Sequence, residues 1–94
     1  MKLRYSEDAL DDLEQILDFI AEDSSERALA FIERLKSSIE LLMTFPGLGV
    51  SCQSKGIAAD CRVMIFESYL IFYVTSEENI LVLSIVNAAK DYAK

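Results

Sequence analysis

The back half of the chain runs Arg62-Val63-Met64-Ile65-Phe66, Glu67-Ser68, Tyr69-Leu70-Ile71-Phe72-Tyr73-Val74-Thr75, Ser76-Glu77-Glu78-Asn79, Ile80-Leu81-Val82-Leu83-Ser84-Ile85-Val86. Its three apolar runs are rich in β-branched and aromatic residues, which fit a pleated, half-buried surface. The two separators are short and polar, as hairpin turns are, and Asn79 tolerates positive φ. An antiparallel meander follows. The middle run, Tyr69 to Val74, lacks polar alternation, so both of its faces need cover. Leu70, Phe72 and Val74 point to one side and Ile71 and Tyr73 to the other.

What can cover one side lies in the front half. Leu10, Leu13, Leu17 and Ile20 recur at spacings of three and four, with Ala9 and Ile16 beside them, which predicts a helix over about 6–22. Ser6 is placed to cap it, and Glu7 and Asp8 favour the positive end of its dipole. Asp23-Ser24-Ser25-Glu26 reads as a capping box on Asp23 and Glu26 that opens a second helix. That helix carries Ala28, Ile32, Leu35, Ile39 and Leu42 on one stripe, flanked by Phe31 and Met43. It stops at Thr44-Phe45-Pro46-Gly47, because proline has no N–H and disfavours helical geometry in the residue before it. So short a turn makes the two helices an antiparallel hairpin. Lys2 to Tyr5 adds a short edge strand, and the aperiodic stretch from Gly47 to Cys61 is expected to be a loop.

The hairpin covers one face of the meander only. The expectation is that Ile71 and Tyr73 lie on the other, with Val82 and Arg62 beside them as partner-contacting residues. Two covers are open to that face: the long loop with the C-terminal tail, or a partner. A second copy of the chain would serve as well.

Composition narrows the function. With 94 residues the chain suits one domain, 1–94. Its formal charge is −7, with 16 acidic against 9 basic residues and no histidine. The acidity is lopsided: up to Phe45 there are 11 acidic and 5 basic residues, and beyond it 5 and 4. A general nucleic-acid clamp needs clustered cations. Histidine-based zinc sites and histidine acids or bases are excluded outright. No cofactor or metal is expected. The carboxylates Asp8, Asp11, Asp12, Glu14 and Asp18 read as the solvated face of the first helix. Cys52 and Cys61 are too few for a disulfide framework and too far apart for a CxxC pair, and they read as free thiols in a reducing cytosol. With no apolar leader and no run of ~20 apolar residues, the expected location is cytoplasmic, away from membranes. The cations available to a phosphate-directed site are Arg62, Lys55, Lys90 and Lys94, with Tyr92 as a stacker or proton donor.

Taken in order, these elements resemble the RelE/ParE toxin superfamily over almost the whole chain. The runs that carry the likeness are Ser6-Glu7-Asp8-Ala9-Leu10-Asp11-Asp12-Leu13-Glu14-Gln15-Ile16, Asp18-Phe19-Ile20-Ala21-Glu22-Asp23, Ala28-Leu29-Ala30-Phe31-Ile32 and Phe45-Pro46-Gly47-Leu48-Gly49. Arg62 followed by Tyr69-Leu70-Ile71-Phe72-Tyr73, and Val82-Leu83 leading to Lys90-Asp91-Tyr92, complete the pattern, which is closer to the ParE type. The resemblance implies an α+β fold, a helical hairpin packed on a small antiparallel sheet in the order β-α-α-β-β-β. It also implies the toxin half of a type II toxin-antitoxin, or plasmid stabilisation, pair, with an antitoxin protein as partner.

ParE-type toxins act on DNA gyrase, whereas RelE-type toxins cut messenger RNA on the ribosome. The chain departs from the pattern at Ser84, where many relatives have arginine, and at Asn87, where many have histidine. Ile65 replaces a usual proline, and Glu67-Ser68 a glycine-containing turn. Without the cationic and titratable groups, a phosphorane-like transition state loses several kcal/mol of stabilisation. The leading reading is therefore a ParE-like toxin that binds a protein, DNA gyrase being the target implied. The alternatives are a RelE-like endoribonuclease with Arg62, Lys90 and Tyr92 as its catalytic groups, or a degenerate non-toxic relative.

Overall fold

A computed structural model describes residues 1–56 and 59–88. The chain forms β1 (Lys2–Tyr5), α1 (Glu7–Ala21), α2 (Ser25–Glu40), a 3-10 turn (Leu41–Met43), β2 (Val50–Ser51), a second 3-10 turn (Cys52–Lys55), β3 (Arg62–Phe66), β4 (Tyr69–Thr75) and β5 (Asn79–Asn87). The five strands make one sheet in the order β1-β5-β4-β3-β2. The meander β3-β4-β5 is antiparallel, as its turns require. β1 lies parallel to β5, so the sheet is mixed rather than antiparallel throughout. Between them the chain runs through the helical hairpin to β2 at the opposite edge and then back through β3 and β4, a connection far longer than the tight turn that joins antiparallel neighbours. The expected loop after Gly47 also holds a fifth, two-residue strand, β2, paired with Val63 and Arg62.

The helices follow the sequence with small adjustments. The hydroxyl of Ser6 caps α1 by accepting the Ala9 N–H at 3.0 Å. In α2 the cap is Ser24, which accepts the Arg27 N–H at 3.2 Å, and not Asp23 as the capping box implied. Asp23 instead faces Arg27 at 4.0 Å on the surface. Ala9, Leu13 and Ile16 are the buried positions of α1, whereas Leu10 is 52% exposed. Successive residues of a helix are rotated by about 100°, and the face that meets the sheet is centred on Leu13 and Ile16, which leaves Leu10 at its outer margin.

The hairpin packs on the face bearing Ile71, Tyr73, Ile80, Val82 and Ile85, and its own Leu13, Ile16, Phe31, Leu35 and Ile39 complete that core. This reverses the expected assignment of faces. Ile71, Tyr73 and Val82 are fully buried beneath the helices and present no surface to a partner. A bulge in β5 contributes to the arrangement: Phe72 pairs with Ser84 and Tyr73 with Val82, so Leu83 is the extra residue. The shift puts Ile85 on the core face, where strict alternation from Val82 would have placed Ser84. The bulge is held from α1, since Ser6 donates its N–H to Val82 O at 2.9 Å and its hydroxyl to Leu83 O at 2.8 Å.

One turn carries strain. Glu67, between β3 and β4, has φ +54°, where glycine is the natural occupant. Its carboxylate accepts from Arg34 of α2 at 3.2 Å. The Arg34 guanidinium lies 5.4 Å over the Phe31 ring, which in turn packs on Phe66 and Tyr69 with centroids 5.7 and 5.6 Å apart. A surface ion pair and a cation–π contact therefore join the turn to α2 and partly offset the strained residue.

Candidate functional site

On the face away from the helices, β4 presents Leu70 and Phe72, β3 presents Val63 and Ile65, and β5 adds Ser84 and Val86 through their pairing with Phe72 and Leu70. Val63, Ile65, Leu70 and Phe72 line one wall of an apolar groove of ≈ 580 Å³ whose opposite wall is Ser38, Leu41, Leu48 and Val50. Leu41, Leu48, Val50 and Ile65 stand about half exposed along its rim. Among the described residues no strand lies outside β3 beyond Val63, so the groove runs beside an open sheet edge from Met64 to Phe66. The groove offers a concave apolar surface next to strand edge, the geometry that accepts a helix or an added strand from another protein.

The wall of the groove is shaped by a clamp. Tyr73 reaches from β4 to the loop after α2, where its hydroxyl donates to Pro46 O at 2.9 Å and accepts the Gly49 N–H at 2.8 Å. Arg62, paired with Tyr73 across the strands, donates from Nη2 to Gly49 O at 2.8 Å and Gly47 O at 3.4 Å, and from Nε to Gly49 O at 3.2 Å. Gly49 has no room for a side chain: a Cβ there would lie 2.7 Å from both Tyr73 Oη and Val63 O. These contacts bend Pro46–Gly49 back over β3 and set Leu48 and Val50 on the groove.

The remaining open-face residues form a smaller core. Cys52 is fully buried with Val63 and Leu70, and Cys61, Phe72, Val86 and Ala88 pack around them. The two cysteines are joined, with their Cα atoms 5.3 Å apart. They are not the free thiols expected, because the loop doubles back so that Cys52 N–H donates to Cys61 O at 2.9 Å and brings the side chains within bonding distance. Spacing along the sequence carries no record of that doubling. Among the described residues the second face is therefore covered in part by the loop and open in part as the groove; the tail after Ala88, the other cover expected, lies outside them.

The groups singled out for chemistry are not gathered in one place. Arg62 lies on the Tyr73 side of the sheet and is spent on loop carbonyls, while Ser84 lies on the opposite face. Lys90 and Tyr92 are outside the described residues. Among the described residues, no three Cys, Asp or Glu side chains converge to hold a metal ion. Nor do the helix carboxylates all point to solvent as expected: Asp12 accepts the Ile85 N–H of β5 at 2.8 Å. It satisfies the β5 edge beyond the end of β1, which an i+4 pattern alone does not reveal. Tyr5 sits on β1 at the far edge of the sheet from β2. Burial, aided by the Glu40 carboxylate, pushes its phenol up to about 12.

The groove residues Leu41, Leu48, Val50, Leu70 and Phe72 are not legible as a set in the sequence. The signal for them is the missing polar alternation over Tyr69–Val74, which demands cover on two faces but does not say which face the helices take.

Hairpin and mixed five-stranded sheet together define the class of small α+β domain. Residues 3–92 match the family model described as the ParE toxin of type II toxin-antitoxin system, parDE. The chain belongs to that ParE toxin family. A solved structure, "Chromosomal ParDE TA system from P. aeruginosa", has the same fold: TM-score 0.76 at 20% identity, over 93% of this chain and 95% of that one. No curated protein matches the chain. Among the described residues, no helix is long and apolar enough to cross a membrane.

Proposed function

We propose that the chain is a toxin that acts by binding a protein target, DNA gyrase, and is neutralised by an antitoxin docked on its apolar groove. The observation that carries this reading is the composition of the open sheet face. On the last strand Ser84 stands beside Phe72, Leu70 and Val86, and the surface around it is greasy. Arg62, the cation at the start of β3, already holds the Pro46–Gly49 loop. An RNA-cleaving centre requires positive charge where the phosphorane forms, whereas burial of ≈ 25 cal/mol per Å² of apolar surface rewards a protein partner. Ile65 favours the same reading: it is 59% exposed on the open β3 edge and, unlike proline, keeps its backbone N–H.

Membership in a parDE family, together with the likeness to a solved ParDE system, supports an antitoxin as the natural occupant of this groove. The test is induction of the chain alone and together with its adjacent open reading frame, followed by assays of gyrase supercoiling and DNA cleavage with purified chain. Growth arrest relieved by the second frame, with inhibited supercoiling, is the expected result. Supercoiling and cleavage unchanged at high protein concentration overturn the gyrase assignment. Transcript cuts at ribosomes would move the chain to the RNA-cleaving branch.

A further inference from the structure

The loop after α2 is held to the sheet in two different ways. Over Pro46–Gly49 the hold is the Tyr73 and Arg62 clamp of side-chain hydrogen bonds. Past Gly49 it changes. β2 contributes only two residue pairs, Val50 with Val63 and Ser51 with Arg62. The 3-10 turn that follows is bonded to itself, the Gln53 N–H donating to Ser51 Oγ and the Ser54 hydroxyl to Ser51 O. What ties this stretch to the start of β3 is the Cys52–Cys61 pair: one disulfide and one hydrogen bond, Cys52 N–H to Cys61 O. Cys52 is wholly buried, whereas Cys61 is partly exposed, so a soluble thiol has access from the Cys61 side.

We propose that Cys52–Cys61 is a reversible redox latch on the sheet edge. Oxidised, it pins β2 against β3 and buries Val63 and Leu70. Reduced, it releases β2 and the 3-10 turn, so the unpaired edge of β3 lengthens from Met64–Phe66 to Arg62–Phe66. The Tyr73 and Arg62 clamp keeps Pro46–Gly49, and with it the rest of the fold, in place. The reductant is a dithiol. Its thiolate attacks Cys61 Sγ, the protein S–S bond breaks, and Cys52 leaves as a thiolate that takes a proton. The second thiolate of the reductant then displaces Cys61 as its thiolate, which is protonated in turn. Two electrons and two protons pass to the protein, and the dithiol ends as a disulfide. Glutathione disulfide drives the reverse step. The inference stands apart from the toxin reading, and its test uses no growth or gyrase measurement.

The experiment is hydrogen–deuterium exchange by mass spectrometry on the full chain, first oxidised, then with dithiothreitol, then reoxidised with glutathione disulfide. Alkylation counts free thiols at each stage. The expected result is no alkylated thiol before and two after reduction. Exchange should rise at least tenfold over 50–56 and 62–63, stay unchanged in α1, α2, β4 and β5, and return to its starting level on reoxidation. Unchanged exchange in the reduced chain overturns the latch, because the loop is then held without the bond. Lost protection throughout the chain overturns it as well, since the bond is then a staple for the whole fold. Two thiols that glutathione disulfide fails to join dispose of it too.

Discussion

Gly49 is the position where the whole clamp depends on one missing atom. A methyl group there would meet Tyr73 Oη and Val63 O at 2.7 Å, while at Gly47 the nearest neighbour to such a group is Arg62 Nη2 at 3.9 Å. Overpacking against backbone costs about 1–3 kcal/mol. Gly49→Ala is therefore expected to lower the unfolding free energy, read by urea denaturation, by an amount in that range, and Gly47→Ala to leave it within about 0.5 kcal/mol of the parent. Equal effects of the two substitutions would show that the close approach is not what holds the loop.

Tyr5 makes a second prediction at the same scale, this time in pH. Its phenol is raised to about 12 in the folded chain, first by burial and then by the Glu40 carboxylate, against an ordinary value of 10.0. The folded chain thus keeps a proton that the unfolded chain has lost between those values, and stability falls as pH rises. The contribution is fully present below pH 10 and is lost progressively toward pH 12. Denaturant unfolding across that window should show a steeper loss for the parent than for Tyr5→Phe, which has no proton to hold. Identical slopes would contradict the assignment.

At the scale of elements, the edge of β5 is closed by two different neighbours. β1 pairs with it as far as Val82, and from there α1 takes over, with Ser6 on Val82 O and Leu83 O and Asp12 on the Ile85 N–H. A bulged strand would otherwise expose an edge of the kind that invites aggregation. Asp12→Ala leaves the Ile85 N–H without its acceptor, and a lost partner of this kind costs about 1–3 kcal/mol. Thermal unfolding should shift down accordingly, with faster amide exchange confined first to Ile85. Neighbouring Asp8→Ala, on the exposed side of α1, serves as the control and should change little. The periodicity of α1 is readable from Ala9, Leu13 and Ile16, but it groups Asp12 with the solvated carboxylates. A carboxylate beside the apolar stripe looks the same in sequence whether or not a strand edge waits for it.

At the scale of the whole molecule, the groove puts half-exposed Leu48 and Ile65 on opposite walls of one apolar cleft. Both side chains are already in water in the free chain, so charging them costs the fold little. Leu48→Lys with Ile65→Lys is expected to preserve the circular dichroism spectrum, and the unfolding free energy within about 0.5 kcal/mol. Under the antitoxin reading the same pair weakens capture of the adjacent frame's product at least tenfold, which co-purification or calorimetry would read. Undiminished binding would place the antitoxin elsewhere.

The amino-acid pattern alone determined the local elements and their order. Spacing of three and four defined the helices, Pro46 marked the break that follows the second, and β-branched runs with two- and four-residue separators defined the meander. It also determined which residues of β4 share a face, because alternation is a property of an unbulged strand. Tertiary structure decided the rest. Alternation is symmetric, so nothing in Tyr69–Val74 distinguishes the face that meets the helices from the one left open; the approach of the hairpin and the bulge at Leu83 chose it. The loop's path, invisible in its composition, joined Cys52 to Cys61 and set Gly49 under the Tyr73 hydroxyl. Those contacts span separations along the chain that no local preference encodes, since they exist only once the sheet has brought distant backbone together.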